Sequence, residues 1–257
     1  MELRPLGSTG IHVSPLGLGT VKIGRNEQVK YPQGFEIPDD QTVSNLFALA
    51  SELGINFIDT APAYGTSEDR LGQLLPNRED WVIMTKVGEI FENGQSRFDF
   101  SASYTRQSIE SSLSKLKRDR VDIVLVHSDG NDMDIINNQG ALEELEKLKH
   151  QGLVGAYGMS TKTVEGGTWI VEHTDVVMAT YNLETSDELP IIQRAHELNK
   201  GVVVKKGLQS GHAVNVEDAF RHVLTQPGVS SMIVGTINPD HLHSNVEMCN
   251  RVIAEMG

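Results

Sequence analysis

Eight short apolar runs that alternate with longer segments of helical period constrain the fold of this chain more than any other feature. The runs lie at residues 15–18, 55–58, 81–85, 121–126, 154–158, 176–179, 201–204 and 231–234. Between them, apolar residues recur at spacings of three and four, as they do in the stripe Val43, Leu46, Phe47, Ala50 and Leu53. Eight repeats of roughly 32 residues, about the size of one strand–helix unit, favour a parallel sheet that closes on itself. The pattern predicts an α/β fold, a (β/α)8 TIM barrel.

The segment before the first run predicts one further element. Residues 3–6 and 11–14 have extended character and flank a turn that contains Gly7 and Gly10, which is typical of a β-hairpin. We expect this N-terminal hairpin to close the bottom of the barrel. A barrel of this kind takes about 250 residues, so the 257 residues of the chain, 1–257, predict a single domain.

The composition indicates which partners and which cellular compartment to expect for this protein. The formal net charge is -13, whereas a nucleic-acid surface needs clustered Lys and Arg, so we expect no nucleic-acid partner. No apolar run approaches the ~18 residues that span a bilayer, and the first residues lack the apolar stretch of a signal peptide. Cys249 is the single cysteine, which excludes an internal disulfide and is typical of a reducing compartment. We expect a soluble cytoplasmic monomer without a membrane partner.

Four ionisable residues lie at or just beyond the ends of predicted strands. Asp59 follows the run at 55–58 and Tyr64 lies in the loop beyond it, while Lys86 and His127 follow the runs at 81–85 and 121–126. In a closed parallel barrel the carboxyl ends of the strands converge on one mouth, where the chemistry of such barrels takes place. A carboxylate, a phenol, an ammonium and an imidazole are together the parts of a proton-transfer site. We therefore predict that these four residues form one catalytic cluster.

Two other kinds of site lack support in the sequence. Gly17 and Gly19 begin a glycine pattern typical of the Rossmann fold, but Lys22 occupies the third glycine position and no acidic residue ends a following strand at the expected distance. The nine histidines show no pair at metal-binding spacing with a companion Glu. No Rossmann fold and no metal site are predicted.

Several motifs of the chain together resemble the aldo-keto reductase family. The match is most specific at residues 54–65, which contain Asp59 and Tyr64, and at the Ser-Glu and Leu-Gly pairs that follow them. It continues at 85–88, 125–128, 152–160, 181–182 and 235–245. These segments occur in the order found in the family and cover nearly the whole chain.

The resemblance implies a (β/α)8 barrel that binds NADP(H) in an extended form and reduces the carbonyl group of a small aldehyde or ketone. It implies Tyr64 as the proton donor, Lys86 and Asp59 as the pair that lowers the pKa of Tyr64, and His127 as the group that orients the carbonyl. The physical chemistry agrees, because free tyrosine has a pKa of about 10 and a nearby ammonium stabilises its phenolate. A neutral His127 would then hydrogen-bond the substrate oxygen as negative charge develops on it.

The resemblance also implies a set of cofactor contacts: Gly19, Thr20, Ser160, Asn182, Lys205, Leu208, Gly235, Thr236, Asn238, His241 and Asn245. Thr236 and Asn238 begin the last long helix, where free backbone N–H groups would bind phosphate. His241 replaces an Arg that grips the 2′-phosphate in many members, so we expect NAD(H) to be accepted beside NADP(H). Lys205 replaces a stacking aromatic residue and is expected to contact the pyrophosphate or a ribose.

Two further functions remain open on the sequence alone. One is a lyase or isomerase that uses Lys86 as a Schiff-base nucleophile, which would require an uncharged amine. The other is a non-catalytic barrel that binds the nucleotide as a regulatory or scaffold subunit. The intact set of Asp59, Tyr64, Lys86 and His127 counts against the second function.

Overall fold

Twelve strands and ten helices build the described part of the chain, residues 1–255, in the computed structural model. Met256 and Gly257, the last residues of the predicted single domain, lie outside the described residues. The strands are β1 (Arg4–Pro5), β2 (His12–Val13), β3 (Leu16–Gly19), β4 (Phe57–Asp59), β5 (Val82–Val87), β6 (Glu89–Glu92), β7 (Gln95–Phe98), β8 (Val121–His127), β9 (Val154–Ser160), β10 (Val176–Thr180), β11 (Gly201–Lys205) and β12 (Ser231–Val234).

The helices alternate with these strands along the chain. They are α1 (Val21–Gly24), α2 (Asp40–Glu52), α3 (Ser67–Leu74), α4 (Ala102–Leu116), α5 (Asp132–Asn138), α6 (Ala141–His150), α7 (Val164–His173), α8 (Leu189–Glu197), α9 (Val216–Leu224) and α10 (Pro239–Ala254). No helix among residues 1–255 is both long enough and apolar enough to cross a membrane.

Eight parallel strands close into a barrel in the order β3, β4, β5, β8, β9, β10, β11 and β12, and β12 pairs back to β3. Each barrel strand is followed by a helix that packs outside it, so the predicted (β/α)8 TIM barrel is confirmed. All eight predicted strands are present. Seven of them end one or two residues later than predicted, because the hydrogen-bonded ladder continues past the apolar run into polar residues.

This extension corrects the position of several residues at the strand ends. Asp59, Lys86 and His127 were predicted to follow their strands, but all three lie within them. Lys86 is in register with Leu125, and His127 with Ser160. Side chains of a barrel strand alternate between the interior and the helices, so membership of the strand fixes these side chains more tightly than a loop would.

The N-terminal hairpin closes the bottom of the barrel, as predicted. Arg4 pairs with Val13 and Pro5 with His12 in an antiparallel ladder. Leu6 and Val13 are fully buried and pack with barrel-interior residues that include Phe57. The hairpin therefore completes the apolar core beneath the mouth.

The closing hairpin gives a stability prediction. We expect Leu6→Ala to lower the free energy of unfolding by about 2–5 kcal/mol, the usual cost of emptying a closed apolar site. Chemical denaturation followed by circular dichroism measures this difference. Leu3→Ala is the matched control, because Leu3 is 43% exposed on the same hairpin. An equal effect of the two substitutions would show that Leu6 does not complete the apolar core at the bottom of the barrel.

The sequence analysis missed three elements at the mouth. The hairpin β6–β7 follows β5, and the short helices α1 and α5 follow β3 and β8. β7 is exposed at all four residues, so its apolar pattern is weak. α5 lies in an acidic stretch with one short apolar pair, Ile135 and Ile136. These elements matter for function because loops at this end of a barrel form its site.

Candidate active site

The four ionisable residues predicted at strand ends meet at the carboxyl-terminal mouth of the barrel. Asp59 ends β4, Lys86 is the penultimate residue of β5, and His127 ends β8. Tyr64 ends a single turn of 3-10 helix, Pro62–Tyr64, in the loop that follows β4. We call Asp59, Tyr64, Lys86 and His127 the mouth cluster.

Lys86 is the centre of the mouth cluster. Its Nζ donates to Asp59 Oδ1 at 2.5 Å, to the backbone oxygen of Thr60 at 2.9 Å, and to Tyr64 Oη at 3.0 Å. Lys86 is 2% exposed and Asp59 5%, so the pair is shielded from water. An ammonium has three donors and no acceptor. All three donors are used, which fixes the orientation of Lys86 and the place of the Tyr64 oxygen.

The backbone around Asp59 is held by a network of hydroxyl groups. The backbone oxygen of Asp59 accepts from Thr20 N at 3.0 Å and from Thr20 Oγ1 at 2.8 Å. Thr20 Oγ1 in turn accepts from Ser67 Oγ at 2.7 Å, and Ser67 Oγ lies 2.9 Å from Thr60 Oγ1. Thr20, which was expected to contact a cofactor, is 1% exposed and binds the backbone oxygen of Asp59 instead of lining the cleft.

The pKa of Tyr64 is shifted in the direction opposite to the one expected. Burial raises that pKa well above its usual value, and the negative charges of Asp59 and Glu89 raise it further. The ammonium of Lys86 is close, but Asp59 at 2.5 Å compensates its charge, so the pair brings little net positive potential to the phenol. Tyr64 therefore keeps its proton through the neutral range.

His127 is placed between Tyr64 and a carboxylate that the sequence analysis did not identify. The rings of His127 and Tyr64 meet edge to face, with centroids 6.3 Å apart and planes at 86°. His127 Nδ1 lies 2.8 Å from Glu89 Oε2, but the geometry of the contact is not that of a hydrogen bond, and among the described residues this buried nitrogen has no hydrogen-bond partner. Burial lowers the pKa of His127, Lys86 lowers it further, and Glu89 opposes them. The imidazole is therefore neutral at neutral pH.

A cleft of about 870 Å³ extends from the mouth cluster to the first turns of α10. Eight of the residues predicted to contact a cofactor line it: Gly19, Ser160, Lys205, Leu208, Gly235, Thr236, His241 and Asn245. Asn182 lines an adjoining cavity of about 740 Å³, which shares His127, Ser160 and Lys205 with the cleft. The cleft is long, is open to the mouth cluster at one end, and ends at a helix N-terminus.

Lys205 and Ser160 are joined at the inner end of the cleft. Lys205 Nζ donates to Ser160 Oγ at 2.8 Å and to the backbone oxygen of Thr161 at 2.6 Å. Burial lowers the pKa of Lys205 to about 8; Glu188 opposes this shift, and Lys206 and Lys162 add to it. Ser160 accepts from Lys205, so its own O–H remains able to donate into the cleft.

Asn182 is largely engaged by its own loop. Its Oδ1 accepts from the backbone N–H groups of Glu184 at 3.0 Å and Thr185 at 2.9 Å, and its Nδ2 donates to the backbone oxygen of Lys206 at 3.1 Å. An amide nitrogen has two hydrogens. One N–H of Asn182 is therefore left to donate to a ligand.

The N-terminus of α10 is capped by its own side chain, which changes the anion site expected there. Asn238 Oδ1 accepts from the backbone N–H of Asp240 at 2.8 Å and of His241 at 3.2 Å. These are N–H groups that the sequence analysis left free for phosphate, because a side-chain cap competes with an anion for the same donors. His241 and Asn245, which follow on the same helix, line the cleft.

Tyr31 and Glu89 are two residues of the site that sequence reasoning missed. Tyr31 lies in the loop between α1 and α2, with Lys22 Nζ 4.0 Å from its ring centre. A Cβ atom added to Gly235 would lie 2.9 Å from Tyr31 Oη, so the phenol lies against Gly235, the residue after β12. Their positions in the sequence could have identified them, because both residues follow the carboxyl ends of barrel strands, where the loops form the mouth.

Comparisons with known proteins assign this barrel to a family. The model of the aldo/keto reductase family matches residues 15–219. A crystal structure of a Pseudomonas aeruginosa protein assigned as an aldo-keto reductase is 54% identical, with a TM-score of 0.91, over 98% of this chain and 96% of that one.

Two curated relatives with named activities are more distant. L-galactose dehydrogenase of Arabidopsis thaliana is 32% identical over 82% of this chain and 66% of its own length. NADH-specific methylglyoxal reductase of Escherichia coli is 30% identical over 71% of this chain and 60% of its own length. The matches thus span about two thirds of these two relatives. The chain belongs to the aldo/keto reductase family and is an oxidoreductase of carbonyl substrates.

Proposed function

We propose that this enzyme transfers hydride between a nicotinamide dinucleotide and the carbonyl group of a small aldehyde or ketone, with Tyr64 as the proton donor. The observation that carries the proposal is the position of Lys86, which joins Asp59 to Tyr64 at the inner end of the long cleft. A screen of NADPH and NADH oxidation over aldehydes, ketones and sugars tests it. Absence of turnover with every class, in protein that binds either nucleotide, would contradict it.

The residues of the mouth cluster divide the proton chemistry among them. Tyr64 keeps its proton in the neutral range and donates it to the substrate oxygen as that oxygen becomes an alkoxide. Lys86 holds the Tyr64 oxygen at 3.0 Å and stabilises the charge that remains on it after the proton has left. Asp59 fixes Lys86 at 2.5 Å. His127, whose ring meets that of Tyr64 edge to face, would contact the same substrate oxygen.

We expect the cleft to bind a nicotinamide dinucleotide in an extended form, because it runs from the mouth cluster to the first turns of α10. Ser160 and Asn182 each keep one donor, which would bind the carboxamide of the nicotinamide ring. His241 and Asn245 line the other end of the cleft and would contact the adenosine. Gly19 and Gly235 line the cleft between these ends, and neither has a side chain that would narrow it. When bound, this cofactor supplies or takes the hydride.

Cofactor preference gives a prediction at His241. We expect NADPH and NADH both to be used, as one curated relative is named for NADH. His241→Arg is expected to tighten NADPH binding by a gain on the order of 1 kcal/mol and to leave NADH nearly unchanged, because Arg carries a permanent charge and a planar pair of donors that match a phosphate. Fluorescence titration with both nucleotides measures the change.

His243→Arg is the control for this substitution. His243 lies on the same helix, is exposed, and is not among the described residues that line the cleft. It adds the same charge at a different place, so it should leave both affinities unchanged. If His241→Arg leaves the NADPH affinity unaltered too, another residue recognises the phosphate, and Lys205 or Lys206 is the next to replace.

The two other functions left open by the sequence lack support. A Schiff-base nucleophile needs a free, uncharged amine, whereas Lys86 Nζ donates to three acceptors and contacts the Asp59 carboxylate. A purely scaffolding role leaves the mouth cluster, with its buried pair Asp59 and Lys86, without a function. Borohydride trapping with a carbonyl substrate tests the first, and a covalent adduct at Lys86 would revive it.

A further inference from the structure

A cavity with an unusual charge lies beside the mouth cluster. It has a volume of about 740 Å³ and shares His127 and Ser160 with the long cleft, so a molecule bound at His127 can extend into it. Among the described residues, four lysines line this cavity: Lys30, Lys162, Lys205 and Lys206. We call it the lysine cavity. The chain has a formal net charge of -13, so these lysines are not part of a generally basic surface.

The lysines of this cavity repel one another. Burial lowers the pKa of Lys205 to about 8; Glu188 opposes the shift, and the charges of Lys206 and Lys162 add to it. Burial also lowers the pKa of Lys206, and there Lys30 and Lys162 lower it further, against Glu188. The ammonium groups therefore lie close enough to destabilise one another's charge, and a bound anion would relieve that repulsion.

Direct ion pairs do not neutralise these lysines in the part of the chain that the structure describes. Within residues 1–255, the lysines that form ion pairs are Lys86, Lys147 and Lys149, and they do not line the lysine cavity. Three carboxylates do line it: Glu184, Asp187 and Glu188. Glu188 is 7% exposed, and its Oε2 accepts from the backbone N–H of Thr180 at 3.0 Å. The positive charge of the cavity is thus available to a ligand.

Lys162 is the lysine that separates this cavity from the cofactor cleft. The other three lysines line both spaces, whereas Lys162 lines the lysine cavity and not the cleft. Its backbone N–H donates to Asp132 Oδ2 at 2.8 Å, and its Cδ would lie 3.8 Å from a Cβ atom added to Gly130. Gly130 belongs to the loop that follows His127, so the side chain of Lys162 lies beside that loop.

We propose that the lysine cavity binds an anionic group of the substrate, a carboxylate or a phosphate, while the carbonyl group of the same molecule lies at the mouth cluster. A lysine ammonium is a compact charge with three donors on a flexible stem, so it binds either oxyanion. This inference rests on the proposed function and narrows its substrates to carbonyl compounds that carry a negative charge. Lys162 is then the residue that selects such substrates, because it lines the lysine cavity and not the cofactor cleft.

Two pairs of aldehydes test the preference: 4-oxobutanoate against butanal, and glyceraldehyde 3-phosphate against glyceraldehyde. The members of each pair differ in the anionic group, so the pair that shows the preference also distinguishes a carboxylate from a phosphate. For the wild type, we expect kcat/KM to be about tenfold higher or more for the anionic member of at least one pair. Lys162→Met should raise KM for that member by about fivefold, the scale of one exposed ion pair, and leave kcat and the neutral member unchanged.

Lys147→Met is the matched control for this substitution. Lys147 is exposed on α6, so the variant loses the same charge away from the cleft and the lysine cavity. Equal values of kcat/KM within both pairs of aldehydes would overturn the inference. Weaker nucleotide binding by Lys162→Met, measured by fluorescence titration, would overturn it too, because the lysines would then serve the phosphates of the cofactor.

A binding experiment tests the anion site without turnover. The enzyme is saturated with the oxidised nucleotide, so that the cofactor phosphates occupy their own sites, and is then titrated with succinate and with inorganic phosphate. Nuclear magnetic resonance of the lysine side chains should show that at least one anion shifts the signals of Lys162, which are those lost in Lys162→Met. No shift with either anion would overturn the inference whatever the activity. Anion binding at Lys162 without reduction of any aldehyde would contradict only the proposed function.

Discussion

Replacing Tyr64 by Phe is expected to leave a folded protein that binds nucleotide but reduces carbonyls more slowly by about 10²-fold or more, the scale of a positioned general acid. The phenyl ring can keep the edge-to-face contact with His127. The substitution removes Tyr64 Oη, the atom to which Lys86 Nζ donates. The effect should fall on kcat, because the lost proton is needed in the transition state and not for binding.

Single-turnover kinetics with a saturating carbonyl measure this loss, and nucleotide titration shows that the cleft is intact. Tyr181→Phe is the control, because Tyr181 is buried and its ring stacks on His222, away from the mouth cluster. Near wild-type turnover of Tyr64→Phe, with the chemical step shown to limit the rate, would remove Tyr64 from the mechanism.

The barrel was predictable because its signals are local. Each buried strand is a short apolar run, and each intervening helix has its own apolar stripe, so the eight repeats appear in the sequence without knowledge of contacts. The closing hairpin had turn residues at fixed positions, and its apolar residue Leu6 is fully buried. The strand ends were less predictable, because polar residues such as Lys86 and His127 continue the ladder there.

The functional site was predictable only in part, for a physical reason. The mouth cluster follows from residues at strand ends together with the convergence of those ends. The proximity of Glu89 to His127 could not be predicted in this way. Glu89 lies in the hairpin β6–β7, and the register of that hairpin sets the position of its side chain near His127 Nδ1. The shift of the pKa of Tyr64 was likewise expected in the wrong direction, because it depends on burial and on Glu89 as well as on Lys86.

Replacing Lys86 by Met is expected to remove most of the activity and also to destabilise the protein. The thioether keeps most of the length of the side chain but donates to neither Asp59 nor Tyr64. Asp59, which is 5% exposed, is then left as a buried carboxylate without its ion-pair partner, and breaking a buried pair in this way costs about 3–5 kcal/mol. Thermal and chemical unfolding, together with kcat/KM for carbonyl reduction, measure the two effects separately.

A double substitution separates the structural part of this loss from the chemical part. Lys86→Met combined with Asp59→Asn removes both charges, so the penalty for an unpaired buried carboxylate disappears and much of the stability should return. Activity should not return, because no ammonium then stabilises the charge left on Tyr64. Asp59→Asn alone should do less damage to turnover than Lys86→Met, since the ammonium remains. If the double variant regained activity along with stability, Lys86 would serve only to pair a buried carboxylate, and the proton transfer at Tyr64 would need another source of positive charge.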